Sequence, residues 1–188
     1  MTTLRIGTRA RLLAVTLLGA LMAFSACSKE KKTEQQPERQ APNVIIESLT
    51  MAPDVPLRSM DGHTEFISDF KGKIVLLNFW STTNVDCREQ VQVLNELAAE
   101  YDRYKVVVLG VSIDRGGAGA LANFVQTTAV KYPVFYNGSE AASKFGGVRK
   151  LPTTYFIARD GRIYDKVLGT RTKSFYMNKI KEILSQRV

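Results

Sequence analysis

Cysteine is almost missing from this chain of 188 residues, which has two: Cys27 and Cys87. Histidine and tryptophan occur once each, as His63 and Trp80. A lone histidine with no companion thiols leaves a structural zinc or copper site without ligands, so no metal and no cofactor is expected. The net charge is +8, yet no run of basic residues is interleaved with aromatics. That argues for a solvated surface and against a nucleic-acid partner. The longest apolar run, Leu12 to Phe24, falls short of the roughly 20 residues of a comfortable transmembrane helix.

What the first residues do contain is Arg5, Arg9 and Arg11 with no acid, then that apolar run, then Ser25-Ala26. This is the pattern of a secretion signal ending in small residues. The order Phe24-Ser25-Ala26-Cys27 resembles a bacterial lipobox, whose cysteine is lipidated and becomes the first residue of the mature chain; a plain cleaved signal and an uncleaved anchor are the alternatives. Losing residues 1–26 removes three arginines and no acid, which lowers the net charge from +8 to +5. Ser28 to Pro42 mixes charges with almost no apolar side chain and cannot bury a core. It is expected to be a disordered tether with a reach on the order of 20 Å. The expected organisation is a signal at 1–26, a lipidated cysteine and tether at 27–42, and one domain with a single core at 43–188.

Along that domain, short runs rich in valine and isoleucine alternate with segments of helical spacing, the pattern of a layered α/β fold. Asp61-Gly62 predicts a hairpin between Val55–Met60 and Thr64–Ile67. Lys73–Trp80 and Val106–Ile113 read as buried strands. Between them Leu94, Leu97, Ala98 and Tyr101 share one helix face. Gly116 to Gly119 lacks the lysine and hydroxyl of a phosphate-cradling loop and reads as a flexible turn before a helix carrying Leu121, Phe124 and Val125. Tyr132–Tyr136 is a short strand and Ser139–Phe145 a short helix. Thr153–Ile157 pairs with Ile163–Leu168 across Asp160-Gly161, and a last helix starts near Ser174 with Tyr176, Ile180, Ile183 and Leu184 on one face.

Four motifs then occur in order: Ala52-Pro53-Asp54, Ser68-Asp69-Phe70-Lys71-Gly72-Lys73, Asn78-Phe79-Trp80 and Leu151-Pro152-Thr153-Thr154. Through them, residues 52–170 resemble the TlpA/ResA-like branch of the thioredoxin superfamily. The resemblance implies a thioredoxin fold: a central mixed sheet flanked by helices, with an added N-terminal β-hairpin. It also implies a cis peptide before Pro152, whose loop offers backbone groups to an extended partner chain. The binding residues so implied are Trp80, Thr83, Leu151, Pro152 and Thr153, with Thr154 beside them. Trp80 and Phe79 also read simply as packing at a strand end, and His63 as an exposed hairpin residue.

The family's Cys-x-x-Cys reads here as Asn84-Val85-Asp86-Cys87. A dithiol works because one thiolate attacks and the second thiol resolves the mixed disulfide. Cys87 alone cannot run that cycle. Gln90 lies where relatives often carry a glutamate, and glutamine cannot move a proton. Asn84 has a structural reading as the N-cap of a helix starting at Val85, its side chain accepting from Asp86 or Cys87. For Cys87, the helix N-terminus and Arg88 would lower the pKa, whereas burial and Asp86 would raise it. The expectation is an exported, lipid-anchored protein of a bacterial membrane, its dithiol activity lost, that binds an extended segment of an envelope client protein, a cysteine-containing one included. The rival is a single-cysteine enzyme. It would form mixed disulfides or reduce peroxide through Cys87; peroxide reduction also requires an arginine over the thiolate, a place that the sequence assigns to neither Arg149 nor Arg162.

Overall fold

The computed structural model describes residues 50–136 and 138–186. The signal, Cys27 and the tether lie outside them. Seven strands form one mixed sheet: β1 (Pro56–Ser59), β2 (Thr64–Phe66), β3 (Ile74–Trp80), β4 (Val106–Ser112), β5 (Val134–Tyr136), β6 (Thr153–Ile157) and β7 (Ile163–Leu168). Their order is β2-β1-β5-β4-β3-β6-β7, with β3, β4 and β5 parallel and the remaining pairs antiparallel. Four helices complete the fold: α1 (Val85–Tyr101), α2 (Gly117–Thr128), α3 (Ser139–Lys144) and α4 (Lys173–Ser185). This is the layered α/β arrangement that the sequence pattern predicted, in the thioredoxin-like form with an added hairpin that the resemblance implied.

All seven residues of β3 are buried, because both faces of the sheet are covered there. On one face Ile74, Leu76 and Trp80 join Leu94 and Leu97 of α1, Phe124 of α2, and Tyr176 and Ile180 of α4. On the other, Val75, Leu77 and Phe79 meet Phe145, Tyr155 and, from the hairpin region, Leu57 and Phe70. Each such side chain contributes about 1.5–3 kcal/mol by leaving water. Asn78 is the polar exception and must find partners. Its Nδ2 donates to Thr154 Oγ1 at 2.9 Å, and that hydroxyl lies 3.0 Å from Tyr176 Oη.

The early motifs meet in space. The Ser68 N–H donates to Asp54 Oδ1 at 2.9 Å and the Phe66 N–H to Asp69 Oδ2 at 2.7 Å, pinning the turn Ile67–Phe70 that leads into β3. Gly62, at φ 92°, turns the hairpin. The glycine cluster departs from expectation. It is the start of a helix rather than a turn, since α2 already begins at Gly117. Burial of Leu121 and Phe124 outweighs poor local propensity, and a Cβ on Gly116 would sit 2.3 Å from that of Ala120.

Gly110, opposite Asn78 in the ladder, makes room for the core. A Cβ there would lie 2.8 Å from the Tyr132 ring and 2.9 Å from Trp80 Nε1. Overpacking of this kind costs about 1–3 kcal/mol. Gly110→Ala should therefore lower the unfolding free energy by about that amount in urea denaturation, and unchanged stability would show that the aromatic pair can give way.

Candidate functional site

Strand β3 ends at Trp80, and the chain turns through Ser81-Thr82-Thr83 into α1. Asp114, two residues past the end of neighbouring β4, holds that turn. Its carboxylate accepts from Ser81 Oγ at 2.5 Å, the Thr82 N–H at 2.8 Å and Ser112 Oγ at 2.9 Å. Burial pushes the Asp114 carboxyl up, but the hydrogen bonds from Ser81, Thr82 and Ser112 outweigh it and hold the group below its ordinary value. The sequence reading overlooked Asp114. Its place at the carboxyl end of a parallel strand, where open α/β sheets build their sites, was the available signal.

Asn84 is the N-cap of α1: the Cys87 N–H donates to its Oδ1 at 3.0 Å, and Asp86 occupies the first turn. Cys87 is buried, with 2% of its surface exposed. Burial drives its thiol up to about 11, helped by the carboxylates of Asp86 and Asp114 and opposed by the backbone of Ser81. No arginine is among the groups that act on it. Arg88 instead lays its guanidinium 5.0 Å over the Phe124 ring. Arg162 pairs with Asp160 at 3.5 Å and bridges Met51 at the far end of the sheet, and Arg149 is exposed in the loop before Leu151.

At the same end of the sheet as Cys87, the Leu151–Pro152 peptide bond is cis. Gly169 N–H donates to Pro152 O at 2.7 Å, which fixes the loop to the end of β7. Leu151 packs partly on both core clusters and is half-buried. At the helix start Thr83 is exposed and Val85 is 69% exposed. Three of the implied binding residues, Trp80, Pro152 and Thr153, are buried, which for Trp80 agrees with its reading as strand-end packing. Trp80 is 1% exposed, its indole 4.6 Å from the Phe124 ring and its Nε1 unpartnered, while Thr153 is 0% exposed and donates its hydroxyl to Lys150 O at 2.5 Å. Neither side chain can line an outer edge; both belong to its foundation. Thr154 is likewise buried, in the Asn78–Tyr176 chain of hydrogen bonds.

Gln90 is buried on α1 and reaches across to the segment before α4. Its Oε1 accepts from the Arg171 N–H at 2.9 Å and its Nε2 donates to Arg171 O at 3.5 Å. A pocket of about 130 Å³ lined by Met51, Ile67, Phe70, Lys71 and Lys73 lies at the opposite end of the sheet and takes no part in this arrangement.

Residues 49–166 match the model of the AhpC/TSA family. The chain belongs to it, in the TlpA/ResA-like thioredoxin-fold branch. Thiol-disulfide oxidoreductase ResA of Bacillus cereus (strain ATCC 10987 / NRS 248) is 30% identical over 177 residues, covering 92% of this chain and 94% of the relative. Thioredoxin-like protein YneN of Bacillus subtilis (strain 168) is 31% identical over 131 residues, 69% of this chain and 76% of that one. Among solved structures, a DsbE-type thiol:disulfide interchange protein from Chlorobium tepidum superposes with a TM-score of 0.67 at 26% identity, covering 73% of this chain and all of its own. At the start of α1, Asn84 stands as cap and Cys87 as core.

Two outcomes test that geometry. The thiolate is the nucleophile, so alkylation of folded Cys87 should follow an apparent pKa near 11, against about 8.5 in the denatured chain. At pH 7 the thiolate fraction is then roughly one in ten thousand, and fast modification at neutral pH would contradict the burial argument. The sign for stability follows. A folded pKa raised above the unfolded one means that this contribution is intact below about pH 9 and is lost as pH rises through 11. Separately, Asn84→Cys should form a disulfide with Cys87 in oxidant. Its reduced form should be about 1 kcal/mol less stable than the parent, the usual value of a lost N-cap; equal stability would show the cap to be idle.

Proposed function

We propose that this protein is exported, is anchored by a lipid on Cys27, and uses its thioredoxin-like domain to hold an extended segment of an envelope client protein against the Pro152 loop without running a dithiol reaction. The observation that carries the reading is the state of the two motif positions. Residues 28–188 contain one cysteine, Cys87, which is buried with its thiol pushed up to about 11, and the partner position is an asparagine engaged in capping. An attacking thiolate needs access and a lowered pKa together, and Cys87 has neither.

The recognition surface remains. Leu151, in the cis bond to Pro152 and outside the β6 ladder, leaves its peptide groups free of backbone partners among the described residues. An extended chain laid there gains main-chain hydrogen bonds as in β-strand addition, while half-buried Leu151 supplies apolar contact. The export signal and lipid site would place this surface within tether reach of a membrane.

The test uses the full chain in nonionic detergent. Reduction of insulin disulfides by dithiothreitol should proceed no faster than with Cys87→Ser. Cysteine-free extended peptides should shift the backbone amides of residues 148–154 in both proteins and fail to do so in Leu151→Asp. Turnover above the Cys87→Ser control would overturn the binding reading in favour of a single-cysteine enzyme, and peptides that leave the 148–154 amides unmoved would overturn the docking surface itself.

A further inference from the structure

Beside the Pro152 loop two cations converge on one glycine. A Cβ built on Gly169 would lie 3.4 Å from Lys150 Cε, 3.6 Å from Lys150 Nζ and 3.8 Å from an Arg171 guanidinium nitrogen. Gly169 has φ 78°, the left-handed region that glycine adopts without strain, and its missing side chain leaves the space between the two. Neither cation makes an ion pair with a carboxylate among the described residues, where the salt bridges fall to Arg162, Lys173, Lys179 and His63. Arg171 spends one donor on Thr170 O at 2.7 Å and lies 5.7 Å over the Phe175 ring, which leaves further donors of its fork open.

The cations stand on fixed backbone. The buried Gln90 amide clamps both peptide groups of Arg171, and Pro152 O accepts from the Gly169 N–H. Lys150 O in turn accepts from the Thr153 hydroxyl. Like charges brought together without a counter-charge repel, and the arrangement is relieved only by an anion or by solvent. A carboxylate suits an arginine fork, which can bind it through two parallel N–H donors.

We propose that Lys150 and Arg171 form an anion-binding pair over Gly169 that receives an acidic side chain of the client segment lying along Leu151. This rests on the docking reading above and narrows it: the client strand carries an aspartate or glutamate close to the residue that contacts Leu151. Gln90 is a positioning residue for this pair, since it holds the Arg171 backbone and touches no ligand.

The experiment uses the full chain in nonionic detergent and three extended peptides that differ only at one central position, glutamate, glutamine or lysine. The glutamate peptide should bind about tenfold more tightly than the glutamine peptide at low ionic strength, with the lysine peptide weakest, and the gap should close at high salt as charges are screened. Lys150→Gln with Arg171→Gln should erase the preference between the glutamate and glutamine peptides. Lys150→Arg should keep it, which separates lost charge from a damaged fold. Equal affinity of the three peptides for the parent protein would overturn the proposal while leaving the docking surface standing. A parallel titration with inorganic phosphate, read at the Gly169 amide, distinguishes the source of the anion. A saturable shift that the double variant loses, with no glutamate preference among the peptides, would assign the pair to a free anion and overturn the client assignment. If no peptide binds, the docking reading fails with it. Absence of any phosphate shift in that case overturns the cation pair as well, and a shift that the double variant loses retains it as an anion site.

Discussion

Strand β3 has no face turned to water, and the architecture follows from that constraint. A strand apolar on both sides must be covered on both sides. The helices α1, α2 and α4 close one face, and α3 with the hairpin region closes the other. Because β3 is pinned along its length by parallel β4 and antiparallel β6, its end at Trp80 is a fixed point. The loop 81–84, the start of α1, Asp114 beyond β4 and Pro152 before β6 are all positioned by that end. A site built there inherits the rigidity of the core, and the buried Asn78–Thr154–Tyr176 hydrogen bonds tie the same strands to α4.

Competition between desolvation and the helix terminus decides the character of Cys87. A helix N-terminus favours negative charge by about 0.3–1 kcal/mol in ordinary cases. Raising the thiol from 9.0 to about 11 corresponds to about 3 kcal/mol against the thiolate. Burial wins by a clear margin, and the carboxylates of Asp86 and Asp114 act in the same direction. The loop hydrogen bonds that keep Asp114 ionised therefore also help to keep Cys87 neutral, so one carboxylate both braces the turn and suppresses the thiol beside it.

Much of this was legible in the sequence because it rests on local pattern. The apolar run of β3, the one-sided spacing of α1, the Asp-Gly turns and the order of the four motifs each point to the element observed. Asn84 as N-cap was legible for the same reason: a capping residue acts within its own turn. The burial of Trp80 followed from the apolar run, but that of Thr153 did not, since a motif at a strand start does not say which way its side chains face. Asp114 acts across 32 residues on Thr82, and Gln90 across 81 on Arg171. Such pairings exist only once β4 lies beside β3 and α4 returns to α1. The glycine cluster was misread because burial of Leu121 and Phe124 overrode local propensity.

Asn84 and Gln90 are both amides, and each meets a backbone need that a thiol or a carboxylate would meet less well. At the start of α1 an N-cap must accept from an orphan N–H, which asparagine does strongly and a thiol weakly. At position 90 the buried side chain must accept from the Arg171 N–H and donate to its carbonyl. Glutamine does both, whereas an ionised glutamate could only accept and would carry a charge into a site 2% exposed. Neither amide has a proton to lose near neutral pH or a redox state to change. A surface held by them keeps one form where a dithiol surface would alternate between two.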